Sequence, residues 1–139
     1  QAAFRAVDFD AVLAFARAAK AAGATRFAVV SALGASARSS TFYNRVKGEM
    51  ETAVAGLGFD SVVIARPSLL AGEREALGQP ARGGEQWALR LSAPFARLIP
   101  KSVRPIEAHT VAKGLQAALR EARPGVRIVE SAELHELGA

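Results

Sequence analysis

The spacing of apolar residues predicts a helix near the start of the chain. The helix runs from Asp8, as its N-terminal cap, to about Ala22, and Gly23 ends it. Apolar residues recur in this stretch at steps of three and four positions, which gives the helix a single apolar face. That face comprises Phe9, Val12, Leu13, Ala16 and Ala19.

Two short runs are apolar at successive positions, which is typical of strands buried on both faces of a parallel sheet. The first, RFAVVSAL, covers residues 26–33, and the second, FDSVVIAR, covers residues 59–66 and ends at Pro67. A loop of small residues and a helix lie between them. We expect that helix to begin after a cap at Ser39, Ser40 or Thr41 and to end at about Leu57.

The rest of the chain continues this alternation. Residues 68–84 form a predicted loop, and helices are predicted at about 85–98 and 107–121. A last strand is predicted at residues 126–130, followed by a short helix capped by Ser131. Strands joined by helices form a parallel sheet with helices on its faces. The predicted fold class is therefore α/β, half of a doubly wound parallel sheet with about three strands and flanking helices.

Composition narrows the possible functions. The chain has 139 residues and 50% of them are hydrophobic, so residues 1–139 can build one core, and we expect a single partial domain. Absence of Cys excludes disulfides and thiolate metal sites. The net charge is +5, but the basic residues are scattered, so we expect no nucleic-acid partner. No apolar run approaches the roughly 20 residues of a membrane span, and no signal peptide is visible. These features favour a cytoplasmic protein.

One group of polar residues is placed for chemistry. Tyr43 and Lys47 are four residues apart on a predicted helix, so they share one side of it. Ser31 lies near the end of the preceding strand, and Arg66 and Ser68 lie at the end of the next one. Because ligands bind outside the carboxyl ends of parallel strands, we expect these side chains to border one crevice.

These side-chain types suit proton transfer. A free phenol has a pKa near 10, and a neighbouring ammonium lowers that pKa by favouring the phenolate. A Ser hydroxyl can hold a substrate oxygen on which charge develops. Tyr43 and Lys47 can also be two residues on a solvated helix surface. Arg66 has two interpretations, a pair with a carboxylate or a cofactor contact. Trp87 is either a core residue or a substrate platform, and His109 is a helix-start or interface residue.

The ordered series Ser31…Tyr43-x-x-x-Lys47 resembles the short-chain dehydrogenase/reductase superfamily. Within it, residues 27–74 are similar to the second half of the atypical reductases related to the HIV Tat-interactive protein. GGEQWALRL, RPIEAHTVAKGL and ESAELHELG also resemble that family, so the resemblance covers essentially the whole chain. It implies an NAD(P)-binding, Rossmann-like fold.

The resemblance also implies residue roles. Tyr43 would be the catalytic acid–base, Lys47 would lower its pKa and bind the nicotinamide ribose, and Ser31 would position the substrate. The cofactor would be NADP or NAD, used for hydride transfer on the carbonyl or hydroxyl group of a small-molecule substrate. The nicotinamide pocket would be lined by Pro67, Ser68 and Leu69.

One part of the family pattern is missing. No Gly-x-x-Gly-x-x-Gly spacing follows a strand, so the glycine-rich βαβ unit that holds the dinucleotide pyrophosphate is absent. We therefore expect this chain alone to be inactive and to bind NAD(P) poorly. The missing strands would leave the strand at residues 26–33 with an open edge, where a second copy could pair to form a homo-oligomer. Two alternatives to an oxidoreductase are a non-catalytic NAD(P)-sensing regulator or scaffold, and a nucleotide-sugar epimerase or dehydratase.

Overall fold

The computed structural model describes residues 1–68, 70–71 and 100–139. Helical structure begins at Ala2 and continues without a break to Ala21. The helices are α1 (Ala2–Arg5), a π-helical segment (Ala6–Ala11), α2 (Val12–Ala21), α3 (Phe42–Ala55), α4 (Ala108–Arg120) and α5 (Ser131–Leu137). The strands are β1 (Arg26–Val30), β2 (Ser61–Arg66), β3 (Leu70–Ala71), β4 (Ile106–Glu107) and β5 (Gly125–Glu130). The helix predicted at residues 85–98, with Trp87, lies outside the described residues, as does Leu69.

The main sheet has three parallel strands in the order β1-β2-β5. Arg26 pairs with Ser61 at the start of β1 and β2, and Ser61 pairs in turn with Gly125 at the start of β5. The predicted fold class is thereby confirmed: the chain is α/β, with a three-stranded parallel sheet flanked by helices. A second, two-stranded parallel ladder between β3 and β4 was not predicted.

Each face of the sheet is covered by helices, because β2 is apolar at successive positions. Val62 and Ile64 point to one face and pack with residues of α2 and α3. Val63 and Ala65 point to the other face and pack with residues of α4 and α5. All four are almost completely buried. The core therefore consists of two apolar layers on either side of the central strand.

The start of the first helix was predicted wrongly. Helical structure begins six residues before Asp8, and Asp8 lies inside the π-helical segment rather than at a cap. The local sequence misled because an Asp before an apolar stretch is a typical cap, whereas here the carboxylate contacts Lys47, 39 residues away. Ser131 is also not a cap. It is the first residue of α5, and its hydroxyl donates to Ser68.

Candidate functional site

The loops that follow β1 and β2 run side by side at the carboxyl edge of the sheet. The backbone N–H of Ser31 donates to the carbonyl of Ala65 at 2.7 Å, and the N–H of Leu33 donates to that of Pro67 at 3.0 Å. The second of these bonds lies beyond the last residue of both strands, so the parallel pairing continues into the loops. Ser31 and Pro67 therefore both lie at this edge of the sheet.

The hydroxyl of Ser31 is buried and has no hydrogen-bond partner among the described residues. Ser31 is only 4% exposed. The Ser31 hydroxyl is therefore not hydrogen-bonded to Tyr43 or Lys47, although all three residues come after β1 in the chain. A buried hydroxyl without a partner is unfavourable, so this oxygen is available to bond a bound molecule.

The loop after β1 is fixed directly onto the first turns of α3. The N–H of Ser36 donates to the carbonyl of Asn44 at 3.0 Å, and the Arg45 guanidinium donates to the carbonyl of Ser39 at 3.0 Å. Gly48 makes the contact closer still, because a Cβ atom at this position would lie 2.2 Å from the carbonyl carbon of Ser36. Only glycine allows α3 to approach the loop this closely. The start of α3 is therefore held in place relative to the sheet edge.

The structure brings Tyr43 and Lys47 together on one side of α3. The Nζ atom of Lys47 lies 6.0 Å from the centroid of the Tyr43 ring. Lys47 is buried, whereas Tyr43 is 49% exposed. The ring of Phe4, in α1, lies against Tyr43 with 5.2 Å between the centroids. The Tyr43 ring thus lies against the apolar ring of Phe4 and near the Lys47 ammonium, and about half of the residue is exposed.

Asp8 is a site residue that sequence reasoning missed. Its carboxylate forms an ion pair and a hydrogen bond with the Lys47 ammonium. A matching spacing in the sequence could have indicated this contact. Phe4 and Asp8 are four residues apart, as are Tyr43 and Lys47. Phe4 contacts Tyr43, and Asp8 contacts Lys47. The N-terminal helical run and α3 are therefore parallel here, and Phe4 and Asp8 hold Tyr43 and Lys47 in place.

Arg66, at the end of β2, is paired with carboxylates, as one of the two interpretations expected. It donates two hydrogen bonds to Glu51 of α3, at 3.0 and 2.6 Å, and one to Glu130 at 3.4 Å. The hydrogen bond with Glu51 raises the pKa of Arg66 above its usual value, against an opposing effect of burial, and Glu130 adds to the increase. Arg66 joins three elements at the sheet edge and stays charged.

Ser68 uses its hydroxyl within the fold. It donates to the backbone carbonyl of Arg104 and accepts a hydrogen bond from Ser131 at 3.0 Å. Pro67 is buried beside it. A role for Pro67, Ser68 and Leu69 in lining a nicotinamide pocket stays a prediction. His109 lies exposed near the start of α4, and the described residues contain no group of His, Asp or Glu suited to a metal ion.

Ser31, Tyr43 and Lys47 carry hydrogen-bond donors and acceptors. Asp8 is the only hydrogen-bond partner of Lys47 in the described part of the chain, so its ammonium, with three N–H groups, has donors to spare. Ser31 adds a hydroxyl, and Tyr43 adds a phenol. Such a set suits a ligand that carries hydroxyl groups. The catalytic roles of Ser31, Tyr43 and Lys47 stay predictions.

Comparison with curated proteins finds relatives that share one name. The chain is 38% identical over 136 residues to "Protein FMP52, mitochondrial" of Eremothecium gossypii, covering 94% of this chain and 59% of the relative. It is 36% identical over 140 aligned positions to the protein of the same name in Candida glabrata, with the same coverage. "Protein FMP52-1, mitochondrial" of Scheffersomyces stipitis is 44% identical over 72 residues, 52% of this chain and 32% of the relative. No protein-family model matches the chain.

These relatives correct four expectations. Over most of its length the chain is similar to FMP52 proteins, which overturns the resemblance to reductases of the Tat-interactive-protein type. The names carry no reductase activity, so the predicted oxidoreductase function and its two alternatives are overturned as well, together with the short-chain dehydrogenase/reductase assignment. The relatives are named as mitochondrial, which overturns the predicted cytoplasmic location. The chain spans about 59% of the length of the two relatives that it matches almost end to end.

Within residues 1–68 and 100–139, every helix is too short or too polar to cross a lipid bilayer. The predicted absence of a membrane partner and of a nucleic-acid partner stay predictions, as does pairing of two copies through the sheet edge. Among the described strands, β1 pairs only with β2, so one edge of β1 is open in this part of the chain.

Proposed function

We propose that this chain is part of a mitochondrial protein that binds NADP or NAD at the carboxyl edge of its parallel sheet. The mitochondrial location is inferred from the names of the FMP52 relatives. We assign ligand binding to the site, and neither a reaction nor a sensing or scaffold role. Ser31, Tyr43 and Lys47 are the described residues that contact the ligand.

One observation carries this assignment: Tyr43 and Lys47 share a side of α3 at the edge where β1 and β2 end. Carboxyl edges of parallel sheets are the usual place for nucleotides in open α/β folds. A dinucleotide also presents ribose hydroxyls and aromatic rings. Lys47 and Ser31 can bond the hydroxyls, and the exposed part of the Tyr43 ring can contact an aromatic ring.

The fixed backbone around the site supports binding rather than an incidental surface. Gly48 and the Ser36–Asn44 hydrogen bond hold α3 against the loop after β1. Ser31 keeps a buried hydroxyl without a partner among the described residues. A site whose donors are already in place loses little conformational entropy when a ligand binds.

The test is calorimetric titration of the full-length protein with NADPH and with NADH. We expect one of them to bind and a Lys47→Met variant to bind it roughly tenfold more weakly, because charge-assisted hydrogen bonds are lost. Lys113→Met is the matched control, since Lys113 is exposed on α4 on the other side of the sheet. The assignment is overturned if neither nucleotide binds, or if Lys47→Met and Lys113→Met weaken nucleotide binding equally.

A further inference from the structure

The counter-ion of Lys47 comes from outside its own helix. Two carboxylates of α3 lie close in sequence to Lys47, but each is bonded to an arginine: Glu49 to Arg5 at 2.6 Å, and Glu51 to Arg66 at 2.6 Å. The carboxylate that contacts Lys47 is Asp8. Among the described residues, Asp8 alone neutralises this ammonium.

Burial makes that neutralisation necessary. The side chain of Lys47 is 11% exposed and that of Asp8 is 23% exposed. An ammonium at this depth without a partner is strongly unfavourable, because burial removes most of its hydration. Removal of the Asp8 charge would therefore leave a buried cation that an anion from solution could satisfy.

The segment that carries Asp8 is unusual. Residues 6–11 are π-helical, between the α-helical turns of α1 and α2. Short π-helical segments inside α-helices occur often at functional sites, where they redirect side chains. Here Phe4 precedes the π segment and contacts Tyr43, and Asp8 lies within it and contacts Lys47. The first helical run therefore reaches both candidate ligand-binding residues.

We propose that Asp8 is the positioning residue of this site and sets the kind of group that it accepts. Asp8 holds the Lys47 ammonium in place and cancels its charge, so the pair binds an uncharged hydroxyl group and rejects phosphate. Lys47 donates to the hydroxyl oxygen, and the second carboxylate oxygen of Asp8 can accept the hydroxyl hydrogen. The choice of a hydroxyl ligand rests on the proposed function, whereas the rejection of phosphate does not.

Phosphate binding tests the inference without any nucleotide. The full-length protein, Asp8→Asn, Asp8→Glu and Asp8→Asn/Lys47→Met are titrated with inorganic phosphate, and thermal unfolding in phosphate is compared with that in chloride of equal ionic strength. We expect Asp8→Asn to gain phosphate binding. We expect no gain in the wild type, in Asp8→Glu, which keeps the charge, or in the double variant, which lacks the ammonium. A purely structural role for Asp8 would change stability in all solutions alike and would give no selective gain.

Each result decides the matter. If Asp8→Asn gains no phosphate binding, or if the double variant gains as much, Asp8 does not set the charge of the site. If Asp8→Asn does not fold, the wild type provides the test. Phosphate binding by the wild type that is lost in Lys47→Met would show that the pair does not reject anions. No phosphate binding by the wild type supports rejection. If neither NADPH nor NADH binds the wild type, the proposed function fails, while the phosphate result still stands for or against Asp8.

Discussion

Gly48 of α3 lies so close to the backbone of Ser36 that a Cβ atom at position 48 would be 2.2 Å from the Ser36 carbonyl carbon and 2.5 Å from its Cα. Both neighbours belong to the backbone, so neither can move away as a flexible side chain could. This contact fixes the distance between the loop after β1 and the helix that carries Tyr43 and Lys47.

We expect Gly48→Ala to lower the free energy of unfolding by about 2 kcal/mol or more, because the added methyl group forces the loop and the helix apart. Urea unfolding measures the loss. Gly56→Ala is the matched control: its Cβ would meet its nearest neighbour at an ordinary 3.6 Å, and φ there is −78°. Equal stability of the two variants would show that the loop yields easily.

The two carboxylates on Arg66 should differ in importance. Glu51 is 8% exposed and bonds the guanidinium twice, whereas Glu130 is 52% exposed and bonds it at 3.4 Å. We expect Glu51→Gln to destabilise the protein by about 3 kcal/mol, since it removes the charge from a buried pair. We expect Glu130→Gln to cost less than about 1 kcal/mol. Chemical denaturation of both variants checks this, and a larger loss for Glu130→Gln would be contrary to the geometry.

Phe4 should shield the Tyr43 ring. Tyr43 is the one tyrosine of this chain, so nitration of the peptide that contains it reports its accessibility. We expect Phe4→Ala to speed nitration of Tyr43, because a ring contact at 5.2 Å is lost. Phe15→Ala is the control. Phe15 belongs to the same helical run but packs on Phe27, 6.0 Å between centroids. A similar rate in Phe4→Ala and wild type would mean that Phe4 leaves Tyr43 uncovered.

The open edge of β1 leads to an expectation about self-association of the 139-residue chain. An unpaired strand edge attracts a further strand, so we expect this chain to form dimers or larger species through β1. Val30→Lys places a charge at an exposed position of β1 and should reduce association in sedimentation velocity. Val126→Lys, at a similarly exposed position of β5, tests the opposite edge of the sheet. A monomeric wild type would remove the basis for pairing at this edge.

The sequence predicted the sheet well because its strands are locally distinctive. β1 and β2 are short apolar runs with β-branched residues, and Pro67 marks the end of the second. The ladder between β3 and β4 is only two residues long, so no local pattern could reveal it. A pairing between positions so far apart is a tertiary feature.

The site was predicted in part for the same reason. The spacing of Tyr43 and Lys47 placed them on one side of a helix, and the position of Ser31 after a strand placed it at the carboxyl edge of the sheet, whereas a shared site for the three stays a prediction. Asp8 was taken for a cap because its real partner lies 39 residues further on. The sequence also indicated that Arg66 pairs with a carboxylate, but only the folded chain identifies Glu51 and Glu130.

Protection of Tyr43 from nitration by a bound nucleotide tests the proposed site most directly. The full-length protein is nitrated with and without saturating NADPH or NADH, and the peptide that contains Tyr43 is quantified by mass spectrometry. We expect the nucleotide that binds to protect Tyr43 severalfold, and Lys47→Met to lose this protection at the same nucleotide concentration while Lys113→Met keeps it. Unchanged nitration of Tyr43 at a nucleotide concentration that saturates calorimetric binding would contradict the assignment and place the nucleotide elsewhere.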